Sequence, residues 1–266
     1  MLNNLPLRRR REDRPGRFKR GVFLLPSMFT VANLFCGYAC VVYSTQGDFD
    51  TAALFIGIAM VLDTLDGFVA RLTKSSTAFG VQLDSLADVV SFGLAPALLA
   101  FMWGLWPLKR LGWAAGFIYV TAAAMRLARF NIQSAAATDK RYFVGMPSPA
   151  AASVIASTVY LYPYGLQERE AAFPALAMVL VPAFLMVSTI RFRSIKAIDV
   201  GWRRSYVALF IVAVGFALIA AHPRVSLVVL SYSYVVAAFV GWGLTRWRKK
   251  PVESHSEHAV LRDDVH

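Results

Sequence analysis

Four aspartates, Asp63, Asp66, Asp84 and Asp88, lie in or beside stretches of chain apolar enough to cross a membrane. Their spacings of three and four residues put each pair on one face of a helix. An ionisable side chain in a hydrophobic span costs about 2.5–3.5 kcal/mol on insertion scales and by default marks a functional site. Four acids without a matching set of cations coexist only if something neutralises them. Hard, oxygen-preferring divalent cations such as Mg²⁺ or Mn²⁺ suit such a set. Two ions about 3.5–4 Å apart could bridge a pyrophosphate and clamp the attacking and leaving oxygens of a displacement. Gly67 and Gly80, beside the acids, remove side chains where such a ligand must come close, and each costs about 1 kcal/mol against alanine in a helix. Arg71 can fork onto phosphate oxygens. The bland alternative is a set of helix-end acids paired with Arg71, Lys74, Arg126 and Arg129. The regular spacing of all four acids, flanked by two glycines and an arginine, argues against it.

The elements that must position these residues are membrane helices. The chain has 266 residues and is 57% hydrophobic, with a mean hydropathy of +0.52, which places it among multispanning membrane proteins. Apolar runs near 22–43, 51–72, 85–106, 112–132, 147–164, 172–190, 205–221 and 225–245 each approach the roughly 20 residues needed to cross a bilayer. The expected fold is therefore an all-α integral membrane protein of about eight spans. With a cytosolic N-terminus, 21 Lys and Arg fall on the inner side and 4 on the outer, which puts both termini in the cytosol. The same asymmetry accounts for the net charge of +12 without a nucleic-acid partner, since basic juxtamembrane segments are drawn to anionic lipid headgroups. Residues 1–21 form a basic cytosolic segment, 22–246 the transmembrane domain and 247–266 a polar tail expected to be disordered. The first apolar run is too long for a signal peptide and is expected to be retained. Cys36 and Cys40 read as packing residues, because two thiols make neither a disulfide framework nor a closed zinc site.

On this topology the second span ends near Arg71, the third starts near Asp84, and residues 72–83 form a short cytosolic turn. Both aspartate pairs then lie at the same end of neighbouring helices, in a shallow cavity at the cytosolic interface.

The run Asp63-x-x-Asp66-Gly67-x-x-Ala70-Arg71, eight residues, then Gly80-x-x-x-Asp84-x-x-x-Asp88 resembles the motif of the CDP-alcohol phosphotransferase family at all eight specified positions. The resemblance implies a six-helix core over about 22–190, with two C-terminal spans added, and a homodimer. It also implies transfer of a phosphatidyl-type group from a CDP-alcohol to an acceptor hydroxyl, with release of CMP. Carried over residue by residue, Asp63, Asp66, Asp84 and Asp88 would hold two divalent metals, and Asp88 would also be the general base. Gly67 and Arg71 would contact the CDP moiety, with the Thr77 hydroxyl a further contact. The start of the first helix, Pro26 to Asn33, resembles the family's stretch below the nucleotide, although Ser27 stands where many members have asparagine.

Three further stretches, Asn33–Gly37, Arg126 to Asn131 and Gly145–Pro149, resemble the phosphatidylserine synthase branch of the family. Serine carries a carboxylate that needs a fixed cation, and Arg126 and Arg129, three apart, can share one helical face to supply it. A phosphorylated acceptor such as glycerol 3-phosphate or inositol phosphate would also need arginines, so charge alone leaves the acceptor open. A divalent-cation transporter is the alternative outside enzymes, but all four acids lie at one end of the spans rather than along a path. The expectation is a multi-pass protein of the cell membrane that uses CDP-diacylglycerol and L-serine at a site facing the cytosol.

Overall fold

A bilayer offers no partners to backbone amides, so apolar runs of this length must satisfy their own hydrogen bonds as helices. The computed structural model describes residues 17–73, 77–136, 142–188, 191–193 and 205–247. Each apolar run becomes helical: α1 (Arg17–Gln46), α2 (Phe49–Thr73), α3 (Ala78–Leu108), α4 (Arg110–Ala136), α5 (Ser148–Leu161), α6 (Ala172–Val187), α7 (Ser205–Ala221) and α8 (Pro223–Trp247). Five helical stretches are long and apolar enough to cross a membrane: Ser27–Gln46, Phe49–Thr73, Ala78–Leu108, Arg110–Gln133 and Arg169–Val187. α5 and the Pro223–Ala237 part of α8 are apolar but shorter.

Three features differ from the sequence expectation. The third helix starts at Ala78, six residues before Asp84, because the Thr77 hydroxyl caps it by accepting from Gly80 N–H at 2.9 Å. α1 begins at Arg17, inside the segment expected to be a basic arm. The chain is also not wholly helical. β1 (Tyr142–Val144) and β2 (Arg191–Arg193) pair antiparallel, with Phe143 opposite Phe192. The ribbon leads directly into α5 through Gly145, whose positive φ of 86° and whose approach to the Met186 carbonyl, 2.5 Å from where a Cβ would sit, exclude a side chain. The remainder of the basic arm (1–16), Lys74 in the 72–83 turn, Lys140, Arg141 and the tail from 248 onward lie outside the described residues.

α3 is not a uniform α-helix. Val89–Leu94 and Phe101–Leu105 are π-helical, with Ala95 N–H reaching the Val90 carbonyl and Trp106 N–H the Phe101 carbonyl. The first widened turn immediately precedes Pro96, which has no N–H to offer Phe92 and whose ring would crowd that carbonyl in a regular helix. The wider turn relieves both problems, and such turns recur at functional sites. The core surrounds this helix. Phe92 and Leu99 of α3 are fully buried with Ile56, Tyr119, Ile155 and Met186 from α2, α4, α5 and α6.

α1 crosses α3 closely. A Cβ on Gly37 would lie 2.6 Å from Ser91 Oγ and 2.8 Å from Ser91 Cα, and Ser91 Oγ donates to the Asn33 carbonyl at 2.9 Å. Small residues at such a crossing are how membrane helices reach backbone contact. Gly37→Ala must push these two helices apart, at a cost of about 1–3 kcal/mol by the scale of overpacked cores. The expected outcome is a lower thermal unfolding temperature in detergent, and an unchanged temperature would contradict the crossing.

Candidate active site

Only four residues of chain separate the end of α2 at Thr73 from the start of α3 at Ala78, so their facing ends bring both aspartate pairs together. Asp63 lies about 15 Å before the end of α2 and Asp84 about 9 Å into α3, at 1.5 Å per residue. Asp63, Asp84 and Asp88 each offer a carboxylate oxygen within 4.8 Å of the others. Asp84 and Asp88, four residues apart, turn to the same side of α3. Asp66 is three residues, and so about 60°, away from Asp63 on α2. It is buried against α1, where the Thr30 hydroxyl donates to Asp66 Oδ2. It still lies within electrostatic range of Asp63 and Asp84.

The cluster has the chemistry of a cation site. Among the described residues none of the three carboxylates is in salt-bridge contact with a Lys or Arg. Asp88 Oδ1 is buried without a hydrogen-bond partner. The Asn33 side-chain amide faces it from α1, and neither of its polar atoms is in hydrogen-bonding geometry. Buried acids left in this state are costly unless a metal or ligand completes them. Three clustered carboxylates therefore suit a hard divalent cation.

Around the cluster the other expected residues separate. Arg126 on α4 lies within electrostatic range of Asp88 and Asp63, donates from Nη1 to Ser148 Oγ at 2.8 Å, and sits over the Phe130 ring at 5.7 Å. Arg129 points elsewhere: its Nη1 donates to the Val187 carbonyl at 3.2 Å and so covers the last turn of α6. Arg71 is exposed, and its guanidinium nitrogens lie 3.9 and 4.0 Å from where a Gly67 Cβ would be, with no other neighbour in that space. Thr77 is occupied as the cap of α3, and a Cβ on Gly80 would stand 3.1 Å from its hydroxyl. Ser27 is half-buried, ten residues into α1.

Sequence reasoning gave no individual role to several residues that the fold brings here. Thr30 and Asn33 are polar and three apart in an otherwise apolar helix, a signal that was legible. Ser148 lies in the Gly145–Pro149 stretch, which the sequence marks only by resemblance. Tyr234 on α8 lies within electrostatic range of Arg126, and no local pattern marks it. Asn131 Nδ2 donates to Ser85 Oγ at 2.8 Å, tying α4 to the middle of the aspartate segment.

A groove of about 840 Å³ opens between α2, α5 and α8. Its wall is largely apolar, and it reaches from Ala53 and Tyr160 at the end remote from the acids to Thr64, Leu65 and Pro147 beside them.

Comparison with known proteins fits this geometry. The profile of the CDP-alcohol phosphatidyltransferase family matches residues 23–190, which covers α2 to α6 and most of α1. The chain is 34% identical over 223 residues to a CDP-diacylglycerol–serine O-phosphatidyltransferase of Helicobacter pylori, covering 83% of this chain and 92% of that protein. It is 30% identical over 227 residues to the enzyme of the same name from Mycobacterium tuberculosis, covering 81% and 78%. It is 34% identical over 170 residues to an archaetidylserine synthase of Methanothermobacter thermautotrophicus, covering 63% and 69%. With acids, glycines and arginine of the motif meeting at one end of the bundle, this multi-pass chain belongs to the CDP-alcohol phosphatidyltransferase family.

Proposed function

We propose that the chain transfers the phosphatidyl group of CDP-diacylglycerol to the hydroxyl of L-serine, giving phosphatidylserine and CMP. The observation that carries this reading is the meeting of three unpaired carboxylates with Arg126 at one end of the bundle, in a chain whose relatives bear that enzyme's name. The reading includes eight spans, both termini in the cytosol, and the site opening to the cytosol, and the distribution of Lys and Arg supports it. Family resemblance extends it to a homodimer.

Each residue has a task in this scheme. The acyl chains lie in the groove between α2, α5 and α8, whose wall is largely apolar. Gly67 leaves room for the nucleotide, Arg71 forks onto the pyrophosphate, and Thr77 and Ser27 border the cytidine side. Asp63, Asp84 and Asp88 would hold Mg²⁺ or Mn²⁺, with Asp66, fixed by Thr30, completing the set. When bound, such cations supply neutralisation of the pyrophosphate charge. Arg126 takes the serine carboxylate. Asp88 accepts the proton of the serine hydroxyl. The hydroxyl oxygen then bonds to the phosphorus that bears diacylglycerol, the bridging P–O bond breaks, and CMP leaves with the electron pair.

The deciding experiment is CMP release by purified protein with CDP-diacylglycerol and Mn²⁺ or Mg²⁺, comparing serine, glycerol 3-phosphate, inositol phosphate and no acceptor. Serine-dependent release is expected, and release confined to another acceptor would refute the assignment. Asp88→Asn should lower turnover by about 10²–10⁴-fold, the range of general-base contributions, in a protein that remains folded. Asp63→Asn and Asp84→Asn should weaken Mn²⁺ binding measured by titration calorimetry, and chelation of wild type should abolish release until metal is restored. The two arginines should part company. Arg126→Lys raises KM for serine by at least about tenfold through loss of the bidentate fork, whereas Arg129→Lys leaves KM nearly constant and lowers thermal stability.

A further inference from the structure

We infer that the last helix supplies Tyr234 as a specificity-determining residue of the acceptor pocket, which acts together with Ser148 by positioning Arg126. The inference rests on the acceptor reading above, and α8 lies outside the residues that the family profile matches.

An arginine within range of Asp63 and Asp88 is pulled towards them and, left alone, would collapse into an ion pair with the cluster. It does not do so among the described contacts. Ser148 Oγ holds one of its nitrogens at 2.8 Å on the side of α5, and Tyr234 comes within electrostatic range of it from α8. A guanidinium has five N–H donors. Held in this way, it keeps donors for an incoming carboxylate while its charge still reaches Asp88, the base.

α8 is fixed where this requires. Its first turn is clamped at the end remote from the acids, where Arg224 Nη2 meets Asp50 Oδ1 at 3.1 Å and the guanidinium lies 5.2 Å from the Tyr160 ring centre. A polar seam then runs between α5 and α8. Ser157 Oγ and Ser231 Oγ are 2.7 Å apart and buried, and Thr158 Oγ1 and Tyr232 OH are 3.0 Å apart. Hydroxyl pairs of this kind hold helices together in an apolar medium and fix their register. Tyr234 comes one turn after Ser231 and so shares its face. It lies about 15 Å along α8 from Arg224, towards the acids. It also lines the groove beside Pro147 and Pro149, the two neighbours of Ser148. Tyr234 thus stands where the lipid groove meets the acceptor side of the cluster.

The test is acceptor kinetics on Tyr234→Phe, which removes only the hydroxyl. Wild type is measured first with serine and with ethanolamine, which is serine without its carboxylate. Serine-independent release by wild type would defeat the acceptor reading itself and is distinguishable from failure of this inference. With wild type serine-dependent, the expected result is a KM for serine raised about fivefold or more, the scale of one polar interaction with a charged group, and a reduced preference for serine over ethanolamine. KM for CDP-diacylglycerol should stay constant. Ser148→Ala should shift the same parameters, and the double variant should fall short of the product of the two, because both act through Arg126. Ser148→Ala carries the test by itself should Tyr234→Phe not purify folded. An unchanged serine KM, a rise confined to CDP-diacylglycerol, or multiplicative effects in the double variant would each overturn the inference.

Discussion

Like charges gathered in an apolar bundle are the constraint to which the other elements answer. At about 4 Å and an effective dielectric constant near 20, two carboxylates repel by about 4 kcal/mol, and here three meet within 4.8 Å. Packing alone would let them spread apart. They are held together by the short connection between α2 and α3, by the close crossing of α1 over Ser91, and by the Asn131–Ser85 bond that anchors α4 to the aspartate stretch. Thr30 takes Asp66 out of the crowd by hydrogen bonding. Such a site favours whatever brings positive charge into it, and the family chemistry, transfer of a group from a pyrophosphate donor, does so.

The opposite end of the bundle is organised by different forces. There Trp103 Nε1 donates to the Tyr162 carbonyl at 2.8 Å and Leu166 N–H to the Trp103 carbonyl at 2.7 Å, closing the loop after α5 onto α3. Arg224 and Asp50 are both substantially exposed, so their pair contributes little by itself. Its value is geometric, because it sets where α8 begins. Rigid contacts at one end thus leave strained chemistry for the other, and the groove between α2, α5 and α8 connects the two.

Much of this was legible in the sequence. The apolar runs locate every helix among the described residues to within several residues, because hydrocarbon length and hydropathy leave few alternatives. The aspartate spacing identifies the cluster, since periods of three and four project onto one helical face. What escaped was set by interactions distant in the chain. The early start of α3 depends on a single capping hydroxyl at Thr77, and the ribbon between Tyr142–Val144 and Arg191–Arg193 joins segments about fifty residues apart. The different fates of Arg126 and Arg129 depend on where α5 begins and α6 ends, at Ser148 and Val187. Tyr234 carries no local signature, and only the docking of α8 on α5 gives it a place.

The widened turns of α3 limit how this chain can change its length. Val89–Leu94 accommodates one residue more than an α-turn would between Asp88 and Pro96. Deleting one residue there would close the turn to a regular helix with the faces on either side nearly in register, because a wide turn absorbs its additional residue. The cost would fall on Pro96, whose ring would then crowd the carbonyl four residues earlier. A further inserted residue is not absorbed by that turn and would rotate Asp84 and Asp88 by about 100° relative to the rest of the helix, away from Asp63. The stretch between the last aspartate and the proline is therefore held in length by the proline in one direction and by the carboxylates in the other.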